Sequence, residues 1–573
     1  MEPILSGDGG RLLPMRRRDE RRDGRIPFRI RIGVTGHRDL RQDEVLGRAV
    51  REQIRRLYDL FDSAHTDTRL SVVSQLADGA DRLVVLQVMA EAAERDHQAR
   101  SEAILPFARD EYVAVQGFSV PSREEFDRLL GEATAQSVAS SELSGEEGAP
   151  QISPYEAAGH QLVERCDVLI ALWDGKPSGG RGGTAETLLY AAARSKPCIW
   201  ISTEDEAEPR SNLGHEQAAP FYRAVAARAQ GHYMASPDQI EYPEDVIDPL
   251  WRSLDELDAF NSQKAPVEFE SRLGAELASG SEVDDWVAAP FVRATTLAAR
   301  WHSRFAWATR SITLSATLAA AMLAASLSYG REIEGWSVAE ACFLFFALAG
   351  IRVVRKVGFH RRWLSYRVLA EWLRTAHFLT GTGADLRRQA KLEGVYIDGE
   401  ATGWLIRAFE EVWDGRPRTS ADLPSLDRGS FDDIKQTLAN DWIGRQISYH
   451  AKASKRHHRA HLMLLASTLA LFAGAIVFAV LHTRHILENT AIFFSITLPA
   501  AGASLGVLLS VNQHEALSAR YKQMRSDLRV AKVNILDATP QTLVKASSEA
   551  AHAVAQETGG WFSSMWFLDI EHP

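Results

Sequence analysis

With 573 residues the chain has room for about three or four units of ordinary domain size. A formal net charge of −10 excludes a generally basic surface of the kind that holds nucleic acid, and 45% hydrophobic residues is ordinary for a globular protein, so any membrane portion has to be found locally. The cysteines, Cys166, Cys198 and Cys342, are odd in number and lack metal-ligand spacing. They exclude a disulfide framework, predict no metal site and fit a reducing cytosol.

Residues 1–26 are rich in Arg and Gly, and Arg16, Arg17 and Arg18 precede no apolar core of signal-peptide length. They predict a disordered basic tail, with a contact to a lipid surface as the alternative. Residues 27–205 alternate short apolar runs with amphipathic stretches. The runs are Phe28–Val34, Leu70–Ser74, Glu102–Phe107, Val168–Trp173 and Pro197–Ser202; the stretches include Glu44–Leu60, Asp81–Ala93 and Tyr155–Glu164. Buried strands alternating with helices predict a parallel sheet covered on both faces, an α/β Rossmann-like fold. Residues 132–153, polar and rich in small residues, read as a surface insertion. Residues 206–305 read as a helical extension, with Trp251 and Trp286 as packing anchors.

The character then changes. Ser311–Gly330 has no charge, Gly335–Ile351 has only Glu340, and Ala460–Thr483 and Asn489–His514 have no Asp, Glu, Lys or Arg. A bilayer crossing needs about 20 apolar residues, so the second segment is marginal and the other three are comfortable. The expectation is an all-α membrane domain of four transmembrane helices in two hairpins, at 306–355 and 460–514. A cytosolic helical region, 356–459, joins them, and a cytosolic helical tail, 515–573, follows. Arg300, Arg304 and Arg310, then Arg352, Arg355, Lys356, Arg361 and Arg362, then Lys452, Lys455, Arg456 and Arg459, then Arg520, Lys522 and Arg525 all flank one side of these spans. The loops near Arg331–Glu334 and Arg484–Glu488 are far less basic. The positive-inside rule therefore puts both termini in the cytosol of a multi-pass protein in the inner (plasma) membrane. The two hairpins also read as a thin internal repeat, with His360, Ser365 and Arg367 after the first and His514, Ser518 and Arg520 after the second. In the fourth span Gly502–Gly506 is a GxxxG, a sign of close helix contact, and Pro499 offers a kink.

Three glycine-bearing turns carry the candidate chemistry. The first strand ends in Gly33-Val34-Thr35-Gly36-His37-Arg38, where amides at a helix start suit a phosphate, with His37 and Arg38 beside the anion. No GxGxxG is present. The second strand ends in Ser74-Gln75-Leu76-Ala77-Asp78-Gly79-Ala80-Asp81; Gly79 lets backbone approach a ligand, and Asp81 suits a helix cap. The fourth run ends in Trp173-Asp174-Gly175, and then Ser178-Gly179-Gly180-Arg181-Gly182-Gly183-Thr184-Ala185-Glu186 leads into a helix. Four glycines in five positions predict a nest of N–H groups around phosphate. Ligands bind at the carboxyl ends of strands in open α/β sheets, so the expected site is Gly36, His37, Arg38, Ser74, Asp78, Gly79, Asp81, Asp174, Gly179, Gly180, Arg181, Gly182, Gly183, Thr184 and Glu186.

The pattern SxLAxGxD at Ser74–Asp81, the GGTAE segment at Gly182–Glu186 and the opening GVTGHR resemble the SLOG superfamily. That superfamily groups DprA/Smf proteins, the LOG phosphoribohydrolases and the N-terminal region of TRPM channels. Leu105-Pro106-Phe107 and Cys166–Ala171 fit the same pattern, and the resemblance covers about residues 28–203. The membrane half resembles the SLATT class of helical modules, through Ser365-Tyr366-Arg367 and Ala370-Glu371-Trp372-Leu373. The resemblance implies a Rossmann-like domain that binds a nucleotide or nucleotide-derived signal, without a further cofactor. It also implies a role as effector in prokaryotic antiviral systems. LOG enzymes carry PGGxGTxxE with a catalytic Glu, for which Glu186 is the candidate. Here Glu186 follows Gly183 by three residues, not four, and Ser178 replaces the Pro. One residue turns a helical side chain by about 100 degrees, so Glu186 is read as holding a ribose hydroxyl or capping the loop.

The leading expectation is a nucleotide-gated, homo-oligomeric membrane effector whose partners are the bilayer and the nucleotide. The alternative is a membrane-anchored nucleotide N-glycosidase, with Glu186 as acid or base and Asp174 or Arg181 orienting the substrate. DprA-like nucleic-acid binding is the least favoured, given the acidic net charge.

Overall fold

The computed structural model describes residues 23–566 except 42, 98, 140–151, 178–181, 205–208, 215–216, 230–244, 265–284, 331–333, 383, 385, 387–398 and 417–427. It divides into two units, Ile26–Lys264 in one and Met1–Arg25 with Ala265–Pro573 in the other.

In the first unit the chain runs β1 (Phe28–Gly36), α1 (Asp43–Leu60), β2 (Thr68–Ser74), α2 (Ala80–Glu94), β3 (Arg100–Leu105), α3 (Arg109–Gln116), α4 (Val120–Glu132) and β4 (Ala135–Val138). It continues through α5 (Pro154–Arg165), β5 (Val168–Trp173), α6 (Thr184–Ala193), β6 (Cys198–Ser202), β7 (Arg210–Ser211), α7 (Ala218–Ala229) and α8 (Asp248–Asn261). The sheet order is β4-β3-β2-β1-β5-β6-β7. Every pair is parallel except β6 with β7. All six residues of β5 are buried, as a central strand with helices on both faces requires. Val50, Ile54 and Leu57 of α1 and Val84, Val85 and Val88 of α2 are buried in the same unit. A core of Leu162, Leu169, Trp173, Leu188 and Val225 joins α5, α6 and α7 to the sheet.

Residues 135–138 depart from the expected insertion: they form the edge strand, parallel to β3, with Glu102 opposite Ala135 and Leu105 opposite Val138. Thr134 N–H and Ala139 N–H donate to Ser101 O and Leu105 O at 2.7 and 2.8 Å and pin both ends. The sequence Ala-Gln-Ser-Val carries no apolar run because an edge strand buries little. Glu132 ends α4 and Ser153 caps α5, and residues 140–151 of the expected insertion lie outside the described residues.

The second unit is helical. It contains α9 (Asp285–Tyr329), α10 (Glu334–Val357), α11 (Phe359–Leu379), α12 (Gly399–Asp414) and α13 (Arg428–Gln436). A π-helical segment, Thr437–Gly444, leads into α14 (Arg445–Thr483), followed by α15 (Glu488–Asn512), α16 (His514–Asp537) and α17 (Leu543–Trp566). Four helical stretches are long and apolar enough to cross a membrane: Trp286–Tyr329, Gly335–Leu379, Gly429–Thr483 and Glu488–Asp537. The marginal second segment gains length because α10 runs on to Val357, about 36 Å of helix at the standard rise. Leu314, Phe345, Phe346, Leu462, Met463, Ile476 and Val477 point outward and are exposed. Water would penalise such a surface and lipid would not.

Helix α9 packs along α10, α11 and α15, and α14 packs along α15 and α16. Inside the apolar zone, the Thr317 and Ser504 hydroxyls meet at 2.7 Å and join α9 to α15. A Cβ on Gly502 would stand 3.1 Å from the Phe472 ring, whereas nothing lies within 4 Å of one on Gly506. The glycine pair therefore makes one close contact, through Gly502. Helix α10 passes into α11 through Gly358 at φ 65°, and α15 into α16 through Gln513 at φ 43°. In both places the following helix runs on from its predecessor and packs along the helix that opened its set. At the other end, Arg293 Nη1 donates to Asp23 O at 3.0 Å and seats residues 23–25 on α9. The remainder of the expected tail lies outside the described residues.

Asn261, fully buried, ties α8 to the start of β1. Its Oδ1 accepts from Ile26 N–H at 3.1 Å and its Nδ2 donates to Ile26 O at 2.7 Å. Asn261→Ala strands both backbone groups of a buried residue and is expected to cost about 2–4 kcal/mol. A urea unfolding midpoint followed by tryptophan fluorescence checks this; an unchanged midpoint would show that α8 is not integral to the sheet unit.

Candidate functional site

The strand order reverses at β1, which pairs with β2 on one side and β5 on the other. This switch point opens a crevice at the strands' carboxyl ends. A cavity of about 270 Å³ occupies it. Thr35, Gly36, His37 and Arg38 line it from β1, Gln75, Ala77 and Asp81 from β2, and Trp173, Lys176 and Pro177 from β5. Tyr112, Tyr155 and residues 182–185, at the start of α6, complete it.

Backbone geometry holds the three turns together. His37 N–H donates to Leu172 O at 3.1 Å, and Ala80 N–H donates to His37 O at 3.0 Å. Gly79 has φ 77°, and a Cβ there would stand 2.1 Å from Arg38 O. A Cβ on Gly36 would stand 2.3 Å from the Cβ of Ala80. Gly79 therefore permits the approach of two turns to each other, not of backbone to a ligand. Gly182, at φ 82°, does the same toward α5, where a Cβ would meet Glu156 N at 2.4 Å.

The acidic residues divide by role. Asp81 accepts from Ser74 Oγ at 3.0 Å and from Gln75 N–H at 2.9 Å, which holds Leu76 in its left-handed conformation. Burial pushes Asp81 up to about 6, against the opposing pull of these bonds. Asp78 takes the Ser122 hydroxyl at 2.5 Å and Arg82 Nη1 at 2.8 Å, outside the cavity lining. Asp174 stands 2.9 Å from His37 Nε2 and accepts from Lys176 N–H at 2.9 Å. Burial raises the Asp174 pKa, but the Lys176 amide and then His37 outweigh it and hold the carboxyl below its ordinary range. Glu186 Oε2 accepts from Gly182 N–H at 2.7 Å, so its carboxylate closes the loop at the start of α6.

Of the expected site, Gly36, His37, Arg38, Asp81, Gly182, Gly183 and Thr184 line the cavity, and Ser74, Asp78, Gly79, Asp174 and Glu186 brace it. Gly179, Gly180 and Arg181 lie outside the described residues. Sequence reasoning missed Tyr112, Tyr155 and Lys176. Tyr112 is fully buried and its hydroxyl has no hydrogen-bond partner among the described residues. Burial raises its pKa far above the phenol range. Arg38, exposed and lining the same cavity, has no ion-pair partner among the described residues. A cation and the amino end of α6 thus face one cavity, with the Tyr112 phenol buried in its wall, which suits an anionic ligand. Among the described residues no three His, Cys, Asp or Glu side chains come together as a metal site.

Residues 439–561 match the family model of the SMODS and SLOG-associating 2TM effector domain 1. The match runs from the π-helical segment through α14, α15 and α16 into α17, well under half of the chain. It includes two of the four apolar stretches and leaves α9 and α10 outside. No curated protein matches the chain. The helical unit is thus similar to a membrane effector module over its C-terminal pair of apolar helices.

The two adjacent glycines of the α6 loop separate structure from site. Gly182→Ala forces a Cβ into Glu156 at a positive φ and is expected to lose about 1–3 kcal/mol. Gly183 has φ −77°, which any residue adopts. Gly183→Ala should change stability by less than about 0.5 kcal/mol. Thermal unfolding of the two variants side by side checks the contrast, and equal losses would contradict it.

Proposed function

We propose that the chain is a membrane effector gated by a nucleotide or nucleotide-derived signal and working in prokaryotic antiviral defence. The observation that carries this reading is the match of residues 439–561 to an effector family whose description joins it to SLOG. The sheet unit of the same chain resembles SLOG. The switch-point cavity supplies the signal site: Arg38 and the α6 amides take phosphate, while Tyr112 and Asp81 meet polar edges of the ligand. Glu186 argues for sensing over hydrolysis, because its carboxylate is bonded to Gly182 and is not among the groups lining the cavity. The N-glycosidase reading needs that carboxylate free.

In this reading the four apolar stretches form two transmembrane hairpins, α9 with α10 and α14 with α15. Their basic flanks lie in the cytosol beside both termini. Several copies assemble, because four apolar helices without ionisable lining make a poor conduit alone. Ligand binding to one of two arrangements shifts the population, and the helices continuous with the spans carry the shift into the membrane.

Tyr112→Phe removes a hydroxyl that has no partner among the described residues, so the ligand-free protein should keep its stability, while nucleotide affinity falls about fivefold to tenfold. Calorimetry with candidate nucleotides, recovered intact afterwards, tests this; release of free base would favour the glycosidase. In cells, membrane potential should collapse only when the signal source is present and Gly183 is unaltered. Depolarisation that survives Gly183→Trp would end the gating proposal.

Topology has its own test. With Cys342 replaced by Ser and Cys166 and Cys198 buried, a thiol introduced at Glu488 should react with an impermeant maleimide added outside intact cells. A thiol at Lys435 should react only after permeabilisation. Reaction of Lys435→Cys from outside would invert the assignment.

A further inference from the structure

The helical unit contains a second cavity, of about 420 Å³, within the size range of small-molecule sites. Its walls come from α9, α11, the π-helical segment, α14, α16 and α17, so it lies where helices continuous with the apolar stretches meet. The sheet-edge site has no part in it.

The chemistry of the walls is specific. Glu371 accepts two bonds from Arg374 Nη1, at 2.9 and 2.7 Å, and lies 3.4 Å from Arg367 Nη2. One carboxylate faces two guanidiniums, and one positive charge remains over. Arg445 adds little, being exposed and paired with Asp441 at 3.0 Å. The remaining acid is Glu557. Burial and then Glu371 push it up to about 7, so near neutrality its negative charge is reduced but not removed.

Several polar atoms on these walls lack partners. Trp442 Nε1, Gln446 Nε2, His450 Nδ1 and Thr295 Oγ1 are buried and make no hydrogen bond among the described residues. Trp442, Gln446 and His450 are 1%, 9% and 5% exposed, so bulk water does not serve them. These atoms are sealed behind the wall surface, and what faces the open space is the guanidinium pair and the rings. Flat surfaces line it beside the guanidiniums. Tyr449 and Tyr521 meet edge to face at 6.2 Å, and Phe378 stacks on Trp442. Aromatic walls of this kind hold a planar ring.

We propose that this chamber is a binding site for a small anion that carries a planar ring, of the size and chemistry of a nucleoside monophosphate. The anionic group sits against Arg367 and Arg374, and the ring lies among Tyr449, Tyr521 and Trp442. Because the walls come from helices that lead into all the apolar stretches, occupancy fixes how those helices sit against one another. The chamber is then a regulatory input separate from the sheet edge.

The test uses the full chain in detergent with 8-azido-AMP as photoprobe and peptide mapping as readout. Label is expected on peptides carrying Tyr449 or Tyr521. Adenosine or inorganic phosphate alone should compete more weakly than AMP. Arg367→Gln and Thr295→Trp, each checked for monodispersity by gel filtration, should cut that label more than tenfold; the second fills the chamber from another helix. Gly183→Trp, which obstructs the sheet-edge cavity, should leave it unchanged. The inference is overturned by label confined to the sheet unit, by label on these helices that survives both chamber variants, or by label lost with Gly183→Trp. Label confined to the sheet unit would leave the proposed signal site standing, so the two ideas fail separately.

Discussion

The bond from Ala80 N–H to His37 O, at 3.0 Å, is the contact on which the sheet-edge cavity depends. It brings the turn after β1 against the turn after β2, and it forms only because Gly79 lacks a Cβ and accepts a left-handed backbone. With that contact made, His37 can reach Asp174 on the far side of the switch point. The three turns then act as one rigid rim. Asp81 completes the rim from inside by serving Ser74 and the Gln75 amide. The result is a preorganised edge, in which the cost of ordering glycine-rich turns is met during folding and not during binding.

Buried charge elsewhere in the sheet unit is likewise held by specific partners. Glu91 is fully buried, yet Arg55 reaches it from α1 at 3.0 Å and Arg95 from its own helix. Arg82 is likewise buried and donates to Leu76 O at 3.1 Å and to Ser122 O at 2.8 Å. These groups clamp helices and turns. Arg82 Nη2 is buried without a hydrogen-bond partner among the described residues, so the clamp is made by the other nitrogens of that guanidinium.

The helical unit is governed by its surroundings. Its outward apolar side chains at Phe345, Phe346, Met463 and Ile476 are exposed because the neighbours they suit are lipid chains. Helix-to-helix contact in that zone uses small residues and hydroxyls, as Gly502 against Phe472 and Thr317 against Ser504 illustrate. Away from the apolar zone the same helices turn polar and aromatic, and there they enclose the chamber. The two sets, α9-α10-α11 and α14-α15-α16, are built alike, each with a left-handed break at Gly358 or Gln513. Of the two, the second set is the one covered by the match to the effector family model.

Local pattern was enough for much of this protein. The run Val168–Trp173 is a strand with those ends, and Glu44–Leu60 and Asp81–Ala93 are helices to within a residue, because burial on both faces or one writes itself into hydrophobic period. The four apolar stretches were legible for the same reason, since a lipid environment tolerates no charge over a full crossing. The glycine-bearing turns could be placed at strand ends, and so could the edge at which they meet. Sequence did not disclose what each turn residue does. Gly79 and Gly182 serve other turns, Asp78 and Glu186 are consumed by Arg82 and Gly182, and β4 has no apolar signature at all. Tyr112 and Tyr155 enter the cavity from helices that nothing in their local sequence links to it. Likewise Arg367, His450 and Glu557 share one chamber from three separate helices. Periodicity reports how each segment is buried, but which side chains share a cavity is a property of distant segments packed together, and only the tertiary structure decides it.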